Sequence, residues 1–301
     1  MKVAGNKVRH IADLYFSELK NLYAESEIEA ILYSSLEFYL GINRSKINLR
    51  SEENVNQSDL LKLYKCFESL RSGLPLQYII SEVWFYNLKL FVNESVLIPR
   101  PETEEMVDLI IKQNVLAEKS GSGCKNFLDI GTGSGCIPLS VKANIKDCNV
   151  YACDISAAAL AVAKKNAESN NLQINFFEAD VLNTDQFIKK ADHKFNVIVS
   201  NPPYIKLSEK SSLSKNVIDH EPHLALFVEE DDSIIFYKEI IDACKYILAD
   251  NGYLYFELNP LTAVDVKDYA LKSNLFSSVE LIKDMSRKIR FLRGVKREMP
   301  S

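Results

Sequence analysis

The stretch Phe127-Leu128-Asp129-Ile130-Gly131-Thr132-Gly133-Ser134-Gly135 decides how this 301-residue chain folds. A short apolar run leads directly into closely spaced glycines, and a helical pattern follows from Gly135 to Asn144. Glycine tolerates positive φ and lets the backbone approach a bound molecule closely. A helix N-terminus presents unpaired N–H groups. The stretch therefore predicts a strand, a ligand-binding turn and a helix, in that order.

The spacing of the glycines indicates which molecule this turn binds. Dinucleotide-binding turns follow the pattern G-x-G-x-x-G, whereas this turn is G-x-G-x-G, with Cys136 at the position of the third glycine. Asp129 lies just before the turn, where its carboxylate would repel a phosphate and attract the cationic amino-acid part of S-adenosylmethionine. The pattern favours that methyl donor over NAD, and a tight structural turn is the alternative.

Outward from the turn, short apolar runs alternate with amphipathic helices. The predicted strands are 127–130, 150–153, 174–177, 195–199 and 253–258, and the predicted helices include 135–144, 156–170 and 233–248. The segments 277–282 and 289–294 are predicted to form a closing pair of strands. This alternation indicates an α/β fold with a parallel sheet covered by helices on both faces.

Acidic residues follow two of the predicted strands. Asp154 ends the second strand, nineteen residues past Gly135, and can accept hydrogen bonds from a ribose diol. A helix cap is the alternative role for Asp154, although Ser156 could serve as that cap instead. Asp180 and Val181 follow the third strand, where we expect them beside the adenine, with an ordinary loop aspartate as the alternative. Open α/β sheets bind ligands at these carboxyl ends of strands.

The fourth strand runs into Asn201-Pro202-Pro203-Tyr204. The prolines stiffen the backbone and remove N–H donors, which leaves the Asn201 side-chain oxygen and the Pro202 carbonyl as acceptors. Two acceptors suit an NH₂ group, and Tyr204 can stack on a planar amide or base. Holding both hydrogens would aim the nitrogen at a methyl group, so that alignment supplies much of the rate. A rigid structural loop is the alternative.

The remainder of the chain predicts three segments: a helical domain over 1–80, a β-hairpin linker over 81–97 and a Rossmann-like domain over 98–301. In the first, Ser26 and Glu29 have the spacing of a capping box, and Gly41 is predicted to end that helix. In the second, Trp84, Tyr86, Leu88, Leu90 and Val92 alternate on one face. Residues 98–103 carry two prolines and are predicted to be non-helical, with Thr103 capping the next helix.

Composition excludes several classes of protein. Net charge is −5, without the basic excess typical of proteins that grip nucleic acid, so we do not expect direct nucleic-acid binding. No apolar run spans a membrane. The six cysteines form no C-x-x-C pair, and His220, Glu221 and His223 offer only a weak metal-ligand set, so no metal is expected. A cytoplasmic monomer fits these features.

At this point the sequence resembles a known family, the protein-(glutamine-N5) methyltransferases that modify peptide chain release factors. The glycine turn and Asn201-Pro202-Pro203-Tyr204 match amino-group methyltransferases in general. More specific matches are Ile98-Pro99-Arg100-Pro101-Glu102-Thr103-Glu104, Leu74-Pro75-Leu76-Gln77-Tyr78, and Glu221-Pro222 with Ala225-Leu226. One departure is Asn259-Pro260, where many relatives carry Glu followed closely by Gly or His. It is expected to alter the shape of that loop without affecting activity.

The resemblance implies the fold of class I S-adenosylmethionine-dependent methyltransferases, Rossmann-like with a mostly parallel seven-stranded sheet, and a small N-terminal helical domain that helps grip the substrate. It implies S-adenosylmethionine as donor and S-adenosylhomocysteine as product. The substrate would be the glutamine of the Gly-Gly-Gln loop of class 1 release factors. Residues 131–135, Asp154 and Val181 would line the donor site. Asn201 would contact both molecules, and Pro202, Pro203 and Tyr204 would hold the glutamine amide. Arg100 and Glu102 would be hinge or site-wall residues, with an exposed ion pair between them as the alternative.

Three alternatives remain at this stage. The same Asn201-Pro202-Pro203-Tyr204 chemistry serves adenine N6 or guanine N2 in a nucleic acid, with the base flipped out onto Tyr204. A related enzyme could methylate a glutamine of a large-subunit ribosomal protein, although the Arg100-Pro101-Glu102-Thr103-Glu104 run favours release factors. A non-catalytic module that binds S-adenosylmethionine is the third, and an intact Asn201 to Tyr204 speaks against it.

Overall fold

The computed structural model describes residues 5–119, 123–212, 215–228 and 232–298. These residues form two compact units, and each is described by itself. The helical unit comprises residues 5–81 together with 215–220, and the sheet unit comprises the other described residues from Glu82 onward. In the described ranges no helix has the length and apolar character that a membrane crossing needs.

The elements are numbered in chain order. The helices are α1 (Val8–Leu19), α2 (Glu25–Leu40), α3 (Gln57–Arg71), α4 (Leu76–Ile80), α5 (Pro101–Lys119), α6 (Cys136–Asn144), α7 (Ala157–Ser169), α8 (Thr184–Ala191), α9 (Lys215–His220), α10 (His223–Leu226), α11 (Ile235–Ile247) and α12 (Ala263–Lys272). The strands are β1 (Glu82–Phe85), β2 (Leu88–Phe91), β3 (Asn126–Ile130), β4 (Asn149–Asp154), β5 (Asn175–Glu178), β6 (Phe195–Ser200), β7 (Ile205–Lys206), β8 (Phe227–Val228), β9 (Leu248–Glu257), β10 (Phe276–Lys283) and β11 (Ile289–Lys296).

The helical unit is built on apolar faces of α1, α2 and α3. Tyr15, Leu36 and Phe67 are fully buried at its centre, and the rings of Tyr15 and Phe67 lie 5.5 Å apart. As predicted, α2 ends at Gly41, whose left-handed conformation suits a residue without a Cβ. The capping box predicted at Ser26 is wrong. The helix already begins at Glu25, without a side-chain cap, so Ser26 lies inside its first turn.

Strands β1 and β2 form an antiparallel hairpin. Both turn residues, Tyr86 and Asn87, have positive φ, as a tight two-residue turn requires. The turn interrupts the alternation that was read as one continuous face. Trp84 therefore points to solvent with 67% of its surface exposed, whereas Leu90 is fully buried, and the prediction that both share a face is wrong.

The sheet unit contains a seven-stranded sheet with the order β10-β11-β9-β6-β3-β4-β5. Strands β9, β6, β3, β4 and β5 run parallel to one another, and β11 is antiparallel to both β9 and β10. The predicted α/β fold with a mostly parallel seven-stranded sheet is confirmed, as is the closing pair of strands. A separate short pair, β7 and β8, follows the end of β6.

Alternate side chains of the sheet supply two apolar cores. Leu128, Ile198 and Phe256 belong to the core on the side of α8, α11 and α12, whereas Phe127 and Val199 belong to the core on the side of α5 and α6. Fully burying one such side chain stabilises a fold by about 1.5–3 kcal/mol. These cores fix the strands, so the carboxyl ends of β3, β4, β5 and β6 are held together at one edge.

The prediction that residues 98–103 are entirely non-helical is wrong at their C-terminal end. Helix α5 begins at Pro101, because a proline fits the first helical position, where its missing N–H would have no helical partner. Thr103 therefore lies within the first turn rather than capping it. The hydroxyl of Thr103 instead donates to Glu257, at the end of β9.

Candidate active site

One cavity in the sheet unit lies where β3, β4, β5 and β6 end. All of the residues predicted for the site line this cavity except Asp129, Gly135 and Tyr204. The cavity wall also includes residues 95–97, part of the segment 222–225, and Phe236. The structure thus brings the glycine turn and the Asn201-Pro202-Pro203-Tyr204 segment together, although they lie about seventy residues apart in sequence.

The glycine turn is held by its own backbone and by β4. The N–H groups of Gly131 and Thr132 both donate to the Cys153 carbonyl, at 2.9 and 3.0 Å. Gly131, Gly133 and Gly135 all have positive φ. At Gly135, which precedes α6, a Cβ would also lie 3.1 Å from the Cβ of Ala163. Glycine is therefore required there both by conformation and by the close approach of α7.

Asp154 holds the turn from the end of β4. One carboxylate oxygen accepts from Gly133 N–H at 2.8 Å, and the other accepts from Ser156 N–H at 2.9 Å. Burial raises the pKa of Asp154, and these backbone donors oppose the rise. A carboxylate has about four lone-pair sites, so Asp154 can still accept a hydrogen bond from a diol. Ser156 caps α7 through Ala159 N–H.

Asp129 is a fully buried carboxylate on β3. Among the described residues, neither of its oxygens has a hydrogen-bond partner. Burial raises the pKa of Asp129 to about 7, the nearby Thr132 side chain opposes the rise without reaching hydrogen-bond geometry, and the charge of Asp154 adds to it. A buried carboxylate is costly unless it is paired, so this site suits a cationic group such as the ammonium of S-adenosylmethionine.

Asp180 and Val181 follow β5 and line the same cavity. Asp180 accepts from Leu182 N–H at 2.9 Å, a local turn that is compatible with the ordinary loop role weighed for this residue. Val181 belongs to the apolar core beside the cavity. Together they place a polar edge and an apolar surface at the end of β5.

Asn201 follows β6, where the backbone contributes few donors. Its Oδ1 atom is buried and has no hydrogen-bond partner among the described residues, while its Nδ2 atom lies 3.5 Å from the Thr103 hydroxyl. Pro202 is buried, and Tyr204 packs against the apolar core. Burial raises the pKa of the Tyr204 hydroxyl to about 12, so it stays neutral. Asn201 therefore offers a free acceptor oxygen, as the predicted chemistry needs.

Thr103 and Glu257 adjoin this segment, and neither was among the predicted site residues. The Thr103 hydroxyl donates to Glu257 Oε2 at 2.7 Å, and both residues are almost fully buried. Burial raises the pKa of Glu257 to about 7, while the Thr103 hydrogen bond and the charge of Arg290 oppose the rise. The sequence did contain a signal for Glu257, because it is an acidic residue at the end of a strongly apolar strand, as Asp129 and Asp154 are.

The loop after β9 also reaches the Asn201-Pro202-Pro203-Tyr204 segment. Asn259 Nδ2 donates to the Tyr204 carbonyl at 3.4 Å, and Asn259 Oδ1 accepts from Leu261 N–H at 3.0 Å. This loop was expected to differ in shape and to leave the chemistry unaffected. The contact with Tyr204 connects it directly to the predicted acceptor site.

Arg100 lines the cavity and pairs with a residue distant in sequence. Its Nη2 atom donates to Glu221 Oε1 at 2.6 Å, and the Glu221 side chain is 1% exposed. The predicted alternative of an exposed pair between Arg100 and Glu102 is therefore replaced by a half-buried pair with Glu221. Within the described ranges, no group of His, Cys, Asp and Glu side chains is arranged to hold a metal ion.

Comparisons with known proteins show the family to which this chain belongs. The chain is 39% identical to the release factor glutamine methyltransferase of Flavobacterium psychrophilum, over 92% of this chain and 95% of that protein. It is 36% identical to the enzyme of the same name from Bacteroides thetaiotaomicron, over 91% of this chain and 95% of that one. The chain belongs to the release factor glutamine methyltransferase family. Members of this family use S-adenosylmethionine, the methyl donor that the glycine turn and Asp129 predicted.

Two further comparisons support the family assignment at the level of fold. Residues 111–224 match the methyltransferase small domain family. Among solved structures, the hMettl16 catalytic domain in complex with MAT2A 3′UTR hairpin 6 is similar with a TM-score of 0.54 at 15% identity, covering 90% of this chain and 91% of that one. At that identity the similarity shows a shared class I methyltransferase fold and no shared substrate.

Proposed function

We propose that this chain transfers the methyl group of S-adenosylmethionine to the side-chain amide nitrogen N5 of the glutamine in the Gly-Gly-Gln motif of class 1 peptide chain release factors. The observation that carries the proposal is the buried Oδ1 of Asn201, which has no hydrogen-bond partner in the part of the chain that the structure describes and lies in a cavity that also contains the glycine turn. Two relatives that cover most of this chain bear the name of that activity.

The glycine turn, Asp129 and Asp154 would bind the donor. Asp154 would bind the ribose diol through the lone pairs that its hydrogen bonds with backbone N–H groups leave available. Asp129 would pair with the donor's ammonium group, which compensates the cost of burying its charge. Val181 supplies an apolar contact for the adenine, and the side chain of Asp180 borders the same pocket.

Asn201 Oδ1 and the Pro202 carbonyl would accept the two hydrogens of the glutamine amide. S-adenosylmethionine, when bound, supplies an electrophilic methyl carbon on a sulfonium sulfur. With the amide nitrogen aligned by Asn201 and Pro202, methyl transfer would form an N–C bond on that nitrogen as the S–C bond of the donor breaks. A proton then leaves the nitrogen, which gives N5-methylglutamine and S-adenosylhomocysteine. Asn201 and Pro202 act by alignment and electrostatic stabilisation of charge developing on the nitrogen.

The proposal is tested by incubating the purified protein with labelled S-adenosylmethionine and a class 1 release factor. The controls are the same factor with its loop glutamine changed to alanine, a large-subunit ribosomal protein fraction and total RNA. We expect label on the intact factor alone. Asn201→Ala is expected to lower kcat by about 10²- to 10³-fold, as loss of one stabilising polar group does, while the Kd for the donor rises much less, because the glycine turn, Asp129 and Asp154 would supply most of the donor's contacts.

Label on RNA with none on the factor would overturn the proposal in favour of an amino-methyltransferase acting on adenine N6 or guanine N2. We further propose that the enzyme acts as a cytoplasmic monomer and needs no metal ion, and that residues 1–80 help bind the release factor. A chelator in the same assay and a light-scattering mass test the metal and monomer proposals. Surface substitutions in the helical unit test the proposed role of residues 1–80. They should weaken binding of the release factor and leave binding of the donor unchanged.

A further inference from the structure

The side-chain amide of Asn201 can work in only one orientation. Its oxygen accepts hydrogen bonds and its nitrogen donates them, yet the two ends have nearly the same shape. A glutamine NH₂ group can be bound only by the oxygen, because the nitrogen end would place donor against donor. We infer that Thr103 and Glu257 are positioning residues that hold the Asn201 amide with Oδ1 free to accept. This inference rests on the proposed function and deepens it.

The order of donors and acceptors determines this orientation. An ionised carboxylate can only accept, so Glu257 Oε2 receives the single hydroxyl hydrogen of Thr103 at 2.7 Å. The Thr103 oxygen can then act toward Asn201 only as an acceptor. The atom of Asn201 that lies 3.5 Å from it must therefore be the donor Nδ2. The Oδ1 atom remains without a partner among the described residues.

Burial makes the arrangement effective. Thr103 and Glu257 are 3% and 2% exposed, so bulk water does not compete for their hydrogen bonds. The three side chains come from the first turn of α5, the end of β9 and the segment after β6, which are distant from one another in sequence. The Tyr237 hydroxyl also donates to the Glu257 carbonyl at 2.9 Å and fixes the backbone at that position.

A purely structural role is the competing interpretation, in which the Thr103–Glu257 hydrogen bond only joins α5 to β9. The two interpretations differ in what a substitution changes. If the role is structural, a substitution should change the stability of the protein and the shape of the whole cavity, including the part around the glycine turn that would bind the donor. A positioning role affects kcat far more than donor binding, because the glycine turn, Asp129 and Asp154, which would supply most contacts of the donor, do not depend on the orientation of the Asn201 amide.

The test uses Thr103→Val, Thr103→Ser and Glu257→Gln in the full-length chain. Valine keeps the shape of threonine without its hydroxyl, and serine keeps the hydroxyl. We expect Thr103→Val and Glu257→Gln to lower kcat for release-factor methylation by about 10- to 100-fold, the usual effect of removing a supporting hydrogen bond around a reactive group. Thr103→Ser is expected to restore kcat to within about threefold, and the donor Kd of all three variants to stay within about twofold.

The pH dependence of kcat provides a second measurement. Protonated Glu257 could donate to Thr103, which would then donate to Asn201 Oδ1 and occupy the acceptor. Burial raises the pKa of Glu257 to about 7, so wild-type kcat should fall below that pH, whereas Glu257→Gln should lack this decrease. The titratable or charged groups that face Glu257 from neighbouring elements are Arg290 on β11, Glu102 on α5, Tyr204 after β6, Tyr237 on α11 and Cys136 on α6.

The inference is overturned if Thr103→Ser is as slow as Thr103→Val, or if the losses appear only in donor Kd and thermal midpoint. Both outcomes leave the proposed function standing, because wild-type methylation of the factor tests that separately. If the wild type methylates another NH₂ group instead, the same three variants measured on that acceptor still test the positioning role.

Discussion

The cavity has two halves, the donor half around the glycine turn and the acceptor half around the Asn201-Pro202-Pro203-Tyr204 segment. Different interactions stabilise the two halves. The glycine turn is held by backbone groups, with Gly131 and Thr132 donating to the Cys153 carbonyl at 2.9 and 3.0 Å. Its outer side is fixed by Asn166, which is fully buried and donates to the Ser134 carbonyl at 2.9 Å. These bonds are short and connect the turn to elements on either side.

The Asn201-Pro202-Pro203-Tyr204 segment has much weaker support. Its prolines contribute no N–H groups, and side chains reach it through long contacts: Asn201 to Thr103 at 3.5 Å and Asn259 to the Tyr204 carbonyl at 3.4 Å. Its shape depends on the restricted φ of proline and on neighbouring side chains. Changes in the glycine turn should therefore alter stability and donor affinity, whereas changes near Asn201 should alter kcat.

Gly135→Ala should produce the largest combined effect. The residue has φ of +80°, and the added Cβ would lie 3.1 Å from the Ala163 Cβ and 3.2 Å from Leu139. Left-handed strain costs about 1–2 kcal/mol, and crowding adds about 1 kcal/mol or more. We expect a lower thermal midpoint, and a donor Kd raised by about tenfold or more because the turn must shift.

Gly41→Ala is the matched control for this substitution. Gly41 has φ of +65° with open space around its Cβ position, and it lies in the helical unit. Gly41→Ala should lower the thermal midpoint through left-handed backbone strain alone, without crowding of the new Cβ, and it should leave the donor Kd unchanged. Equal changes in donor Kd for the two variants, measured by calorimetry, would mean that the glycine turn does not shape the donor site.

Asp129→Asn should separate donor affinity from stability. Pairing of this carboxylate with the donor's ammonium predicts a donor Kd raised by about 10- to 100-fold, since a hydrogen bond between charged groups contributes about 1.5–3 kcal/mol. The same substitution should lower the affinity for the donor and raise the stability of the donor-free protein. Burial raises the pKa of Asp129 from 3.8 to about 7, so the stability that its protonated form provides is lost progressively as pH rises from 3.8 to about 7.

The thermal midpoint of the donor-free Asp129→Asn variant should therefore exceed that of the wild type at pH 8, and the difference should shrink toward pH 5. Asp154 and Thr132, which also influence the Asp129 pKa, are unchanged in this comparison. A variant that is less stable than the wild type at pH 8 would show that the carboxylate already has a compensating partner in the free protein.

The sequence was informative wherever the determining contacts are local. The apolar runs located β3, β4, β5 and β6 to within about two residues, because the apolar residues of a buried strand are consecutive in sequence. The glycine turn could be predicted because positive φ and a following helix N-terminus are local requirements. The errors at Ser26 and at Pro101 also concern helix starts, where a position can serve equally well as a cap or as a first-turn residue.

The sequence was uninformative where contacts join distant residues. Thr103 and Glu257 lie 154 positions apart, and Arg100 and Glu221 lie 121 apart. Only the folded sheet brings their elements together, and a single sequence does not record such pairs. The same reason applies to Asn259, whose neighbour Tyr204 lies 55 positions earlier. The motifs that contain Arg100, Thr103 and Glu221 indicated the family, but they did not indicate which residues these side chains contact.

Asn259 leads to the smallest predicted effect. Its Nδ2 atom donates to the Tyr204 carbonyl at 3.4 Å, and its Oδ1 atom accepts from Leu261 N–H at 3.0 Å. A neutral hydrogen bond contributes about 0.5–1.5 kcal/mol, and the prolines already restrict the segment. We therefore expect Asn259→Ala to lower kcat/KM for the release factor by about threefold, with donor Kd unchanged.

Asn259→Ser distinguishes the two hydrogen bonds. A serine hydroxyl can still accept from the Leu261 N–H as a local turn, but it is too short to replace the contact with Tyr204. If kcat/KM for Asn259→Ser equals that of Asn259→Ala, the donation to the Tyr204 carbonyl is what matters, and the side chains around the Asn201-Pro202-Pro203-Tyr204 segment supply part of its rigidity. If Asn259→Ser restores the wild-type value, the turn at Leu261 is responsible, and the prolines hold Tyr204 without help from Asn259.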